Sequence, residues 1–244
     1  MHTETISYQC GKTQLKGFLA FDPKNKAPLP GIVVAHAFRG QDDFARKKAQ
    51  DLADLGYVAL AADLYGEGKT VNDNQQAAAL MMPLFTDRAL LRERIVSAYQ
   101  TLSKLPQVDP KRIGAIGFCF GGLTVIELLR SGVNLRGIVS FHGLLGNKIN
   151  DNVASLAPAA KTLTGAALIL HGNDDPLVSH DDIRNMQDEL TKAKVDWQMD
   201  IYGHTVHAFT NPEVHDYSSG LAYREKASKR AWLSMRNFFE EVFI

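Results

Sequence analysis

Between Ile113 and Gly122 the chain passes from an apolar run, Ile113-Gly-Ala-Ile-Gly117, through Phe118-Cys119-Phe120 into Gly121-Gly122, and an apolar helical pattern follows at once. A strand that becomes a helix within so few residues leaves no room for side chains beside the turn. That accounts for Gly117 and Gly121, and it restricts the chain to folds with a strand–turn–helix at their centre. The arrangement Gly-x-nucleophile-x-Gly is a nucleophile elbow, here with cysteine where serine is usual. It lifts the Cys119 sulfur above the sheet edge at a helix N-terminus, whose partial positive charge favours thiolate.

The rest of the chain supplies a sheet for that elbow. Pro30–His36, Tyr57–Ala62, Ile113–Gly117, Leu135–Ser140 and Ala166–Leu170 read as short, continuous apolar strands, and Val195–Tyr202 as a last one. Helical patterns over Phe44–Leu55, Asp181–Ala193 and Ala222–Phe243 alternate with them. A longer helical region, Asn72–Leu105, is expected to break near Pro83. Two strand-like segments, Glu4–Gln9 and Gln14–Phe21, open the chain around a Gly-Lys-Thr turn. Uninterrupted apolar strands alternating with helices predict a mostly parallel, doubly wound sheet with helices on both faces. No repeat or linker divides residues 1–244, so one α/β domain is expected.

Composition excludes several functions. With 27 basic and 27 acidic residues the formal net charge is zero, so no field draws the chain to nucleic acid or to an anionic membrane. No apolar run approaches the roughly 18 residues needed to cross a bilayer. Met1–Ser7 lacks the basic and apolar regions of a secretory signal. The two cysteines, Cys10 and Cys119, lie in unlike contexts, so no disulfide is expected and a reducing, cytoplasmic setting follows. No cofactor is implied, and no His/Glu/Asp cluster completes a metal site around His204 and His207. Oligomeric state is not encoded in any pattern.

In doubly wound sheets ligands bind beyond the carboxyl ends of the strands. An elbow nucleophile is followed in chain order by an acid and then a histidine. After Ala166–Leu170 comes His171-Gly-Asn-Asp-Asp-Pro-Leu-Val178, and after Tyr202 comes Gly203-His-Thr-Val-His-Ala-Phe209. The spacing Gly-x-x-Asp before an apolar triplet selects Asp175 over Asp174. The setting His-Ala-Phe selects His207 over His204. Cys119 would then attack a carbonyl, His207 would handle its proton and Asp175 would orient the imidazole. Backbone N–H groups of Phe120 and of Phe38 are the expected oxyanion donors. His36, Ala37, Arg39 and His142, with Glu67, lie at strand ends and are candidates to line the substrate pocket. The apolar Ala77–Met82 stretch is a candidate pocket wall.

These motifs, together with Leu55-Gly-Tyr-Val-Ala-Leu60, Asp63-Leu-Tyr65 and Asn211-Pro212, resemble the dienelactone hydrolase family along nearly the whole chain. The resemblance implies the α/β-hydrolase fold and carboxylic ester hydrolysis, with Cys119 as nucleophile, Asp175 as acid and His207 as base. It also marks two departures. Ala37 stands where the family's type enzyme carries a glutamate that helps generate the thiolate, and Asn211 stands where that enzyme has an arginine gripping the substrate carboxylate. The expected substrate is therefore a small ester or lactone other than the type dienelactone. The alternative is a ligand-binding protein of the same fold with little turnover.

Overall fold

The computed structural model describes residues 1–25 and 27–244. In chain order the elements are β1 (His2–Cys10), β2 (Thr13–Phe21), β3 (Leu29–Ala35), α1 (Asp43–Asp54), β4 (Val58–Ala61), α2 (Asn74–Thr86), α3 (Arg88–Ser103), β5 (Val108–Phe118) and α4 (Phe120–Arg130). They continue with β6 (Gly137–Phe141), the two-residue strands β7 (Lys148–Ile149) and β8 (Asn152–Val153), β9 (Ala166–Gly172), α5 (His180–Lys192) and β10 (Trp197–Tyr202). The two-residue β11 (His215–Asp216) and β12 (Leu221–Ala222) then precede α6 (Glu225–Val242).

Eight strands form one sheet in the order β1-β2-β4-β3-β5-β6-β9-β10. All neighbours from β4 to β10 pair in parallel, while β1 and β2 join by antiparallel pairing at the β4 edge. The chain leaves β3 toward β4 on one side and returns to β5 on the other. The loops after β3 and β5 therefore diverge from adjacent strands, and Cys119 sits at that divide.

The strands are apolar throughout because both faces are covered. Ile32, Val34, Ile116 and Phe118 face α1 and α6, packing on Leu52, Ala231, Met235 and Phe239. Val33, Ala35, Ile113 and Ala115 face the opposite layer, with Phe85, Ile95, Leu123 and Met186 of α2–α5. Behind the elbow, the buried Glu127 carboxylate of α4 pairs with Arg92 and Arg130, each at 2.7 Å, and with Arg88 at 3.7 Å. This cluster ties α4, and with it the elbow, to the start of α3.

The helical region breaks at Asp87 rather than near Pro83, which lies inside α2. Pro83 removes one backbone donor, but α2 continues past it. The break comes where the Asp87 side chain accepts the Leu90 N–H at 3.0 Å and starts α3. The last helix begins at Glu225, after the Ala222 predicted as its start, because Leu221–Ala222 pairs with His215–Asp216 as a small hairpin.

Candidate active site

At the end of β5 Cys119 adopts φ 56° and ψ −116° and becomes the residue from which α4 springs. A Cβ at Gly117 would drive into the carbonyl of Gly121, and one at Gly121 into the carbonyls of Ala35 and His36. The elbow is thus closed by backbone-on-backbone packing that only glycine permits. Phe120, the first residue of α4, and Phe38, in the loop after β3, carry N–H groups with no acceptor among the described residues. The Phe38 carbonyl accepts the Tyr65 hydroxyl at 2.8 Å, and the Tyr65 ring stacks on Phe120 with centroids 6.4 Å apart. Tyr65 is held in turn by Asp63, whose carboxylate accepts N–H bonds from Lys16, Tyr65, Gly66 and Gly68 at 2.7–2.9 Å.

Asp175 follows β9, buried, with Oδ1 accepting the Leu177 N–H at 2.9 Å and Oδ2 lying 2.7 Å from Nδ1 of His207. Asp174 points outward and accepts from the Asn173 amide at 2.8 Å. His207 is buried and braced on both sides, donating its N–H to Gly220 at 3.0 Å and accepting the Ala222 N–H at 3.0 Å. Its Nε2 is buried and has no hydrogen-bond partner among the described residues. Burial opposes a charged ring here, but the Cys119 sulfur close by and the Asp175 carboxylate outweigh it, pushing the His207 pKa up to about 10. His204 is exposed, and its backbone carbonyl receives Arg224.

Three more histidines stand at strand ends around this pair. His142 donates or accepts at both ring nitrogens, with Nδ1 3.2 Å from the Cys119 N–H and Nε2 2.8 Å from the Thr210 hydroxyl. Burial, and then the neighbouring His207, hold its pKa well below 6.5. His36 Nδ1 lies 2.6 Å from the Ala37 carbonyl, and its Nε2 accepts the Leu64 N–H at 3.3 Å. His171 is buried at the end of β9 with Nδ1 unpaired among the described residues. Burial lowers the pKa of both rings.

A model of the dienelactone hydrolase family matches residues 15–243. This chain belongs to that family. Among solved structures it is similar to m3DLH, at 41% identity and TM-score 0.91, with 100% of this chain and 99% of that one covered. It is similar to a dienelactone hydrolase-like promiscuous phosphotriesterase from metagenomic libraries, at 37% identity and TM-score 0.91 over the same shares. A relative from Aquifex aeolicus, named as a putative carboxymethylenebutenolidase, is 25% identical over 243 residues, 97% of each chain. The doubly wound α/β sheet expected from the strand pattern and the α/β-hydrolase fold implied by the resemblance both hold, and the chain is a dienelactone hydrolase-like ester hydrolase.

Within this family member the expected pocket residues divide. His142 lies directly under Cys119. His36 is buried against Tyr65, with ring centroids 4.7 Å apart, and organises the loop after β3 rather than facing a ligand. Ala37 is half-buried and brings no charge. The Arg39 side chain is exposed, lies against the Phe38 ring at 5.8 Å and donates to Asn74 at 3.0 Å, so its charge is spent at the start of α2. Glu67 is exposed and pairs with Lys16 at 2.7 Å. Of the apolar stretch in α2, Ala77 and Met81 are core residues. No sequence motif singled out Thr210, whose partner His142 lies 68 residues away. Tyr65 was visible only as part of the family's Asp-Leu-Tyr.

Proposed function

We propose that this chain hydrolyses small esters or lactones through a thioester on Cys119, with His207 as acid-base and Asp175 as its orienting carboxylate. The reading is carried by the 2.7 Å contact of His207 with Asp175, together with a buried, otherwise unpartnered Nε2 beside the sulfur. The raised His207 pKa favours transfer of the thiol proton to the imidazole as the sulfur attacks. A base of this kind beside a sulfur at a helix N-terminus offers a route to thiolate without the family glutamate, whose place Ala37 takes.

The thiolate attacks the carbonyl carbon, and the displaced electron pair goes to oxygen. The free N–H groups of Phe120 and Phe38 suit that oxyanion. Collapse expels the alcohol oxygen, which takes the proton from Nε2. Neutral His207 then removes a proton from water as it attacks the thioester, and Cys119 leaves as thiolate, restoring the ion pair.

The substrate class follows from charge. Ala37 carries none, Arg39 is turned to Asn74, and position 211 is Asn, so neutral substrates are preferred over anionic lactones. The similarity to a promiscuous phosphotriesterase adds neutral aryl phosphotriesters to the substrates worth assaying. A panel of neutral aryl esters, neutral lactones, an anionic dienelactone and an aryl phosphotriester tests this. Neutral esters or lactones should give kcat/KM at least about tenfold above the anionic substrate. Preference for the anionic lactone would overturn the assignment.

A further inference from the structure

We propose that His142, acting with Thr210, is a positioning residue that fixes the distance between the Cys119 sulfur and the His207 imidazole. The proposal rests on the Cys119 mechanism above, but its observations are separate. His142 has φ 39°, a conformation unusual for a side chain of that size. The ring lies against the backbone of the elbow. There Nδ1 faces the Cys119 N–H, a donor shared with the Phe141 carbonyl at 3.1 Å. A donor pointing at Nδ1 requires a lone pair on that nitrogen. The ring therefore carries its hydrogen on Nε2 and donates it to the Thr210 hydroxyl at 2.8 Å.

The same ring meets His207 edge-on with centroids 5.1 Å apart, and Phe209 at 5.2 Å. His142 is thus the one side chain described that bonds the nucleophile's backbone, bonds the histidine loop at Thr210 and packs on the His207 ring. Its tautomer depends on Thr210. Without an acceptor there, the Nε2–H is buried unpaired, and the competing Nδ1–H tautomer would point a donor at the Cys119 N–H. Either outcome pushes the elbow away from His207.

The near-isosteric Thr210→Val removes the acceptor, and Thr210→Ser keeps it. With the full chain, kcat and KM for a neutral aryl ester are measured alongside the rate of Cys119 alkylation by iodoacetamide at pH 7.5. Thr210→Val should lower both kcat and the alkylation rate about tenfold with KM within about twofold, as expected for a displaced reacting pair. Thr210→Ser should restore both. Equal values for parent, Val and Ser chains would overturn the proposal, as would losses in Thr210→Val that vanish when corrected for the folded fraction. Should Thr210→Val not fold, His142→Asn is read the same way: a slower alkylation at unchanged KM supports the proposal and an unchanged rate overturns it. Alkylation does not need turnover, so a parent that alkylates but does not hydrolyse refutes the proposed function and leaves this inference to be judged on the alkylation rates.

Discussion

Cys119 holds a backbone conformation that side chains rarely adopt, and the chain tolerates it because Gly117 and Gly121 let three backbone segments touch. In the proposed mechanism the Cys119 sulfur passes its proton to His207, a ring whose Nδ1 lies 2.7 Å from the Asp175 carboxylate. The two aspartates of the β9 loop separate cleanly: Asp175 is buried on the ring and Asp174 faces solvent. Asp175→Asn should therefore reduce kcat/KM roughly a hundredfold or more. It should also move the alkaline limb of the pH–rate profile acidward, because removing the carboxylate lowers the imidazolium pKa. Asp174→Asn should stay within about twofold of the parent. A larger loss in Asp174→Asn than in Asp175→Asn would reverse the assignment.

At the level of elements, what local pattern revealed was what local pattern determines. The unbroken apolar runs of β3 and β4 are strands because both faces are covered, and the glycines of the elbow are required by a turn that involves only neighbouring residues. The spacing from Gly172 selected Asp175 over Asp174, and it is Asp175 that lies on the His207 ring, 32 residues on. The helix break was misplaced because a proline costs one hydrogen bond, whereas the Asp87 cap starts a new helix. Arg39 looked like a pocket cation until Asn74, 35 residues on, took its guanidinium. Contacts such as Tyr65 with Phe38 and His142 with Thr210 join loops from different strands, and their partners are set by sheet order rather than by nearby sequence. The hairpins at 148–153 and 215–222 are two-residue strands too short to show alternation.

For the molecule as a whole, gathering histidines at the strand ends links stability to pH in two opposite ways. His36, His142 and His171 are kept neutral chiefly by burial, with pKa values lowered from 6.5. The unfolded chain takes up protons there first, so their contribution is present above 6.5 and falls as pH drops below it. Each adds a slope of up to about 1.4 kcal/mol per pH unit until its own folded-state pKa is reached. His207 has the reverse sign: its raised pKa contributes fully below 6.5 and is lost as pH climbs through about 10. Urea midpoints should therefore peak near neutrality and be lower at pH 5.5 and at pH 10.5 than at 7.5. A midpoint that rose on acidification from 7.5 to 5.5 would show that these rings are not buried neutral. The central proposal is that the Cys119 sulfur carries the acyl group, and time-resolved intact mass of the protein mixed with a neutral aryl ester reads that directly. One acyl mass should form on Cys119 and clear as substrate is consumed, and it should be absent in Cys119→Ala together with turnover. Hydrolysis that persisted in Cys119→Ala, or an adduct that never formed in a turning-over parent, would contradict the account.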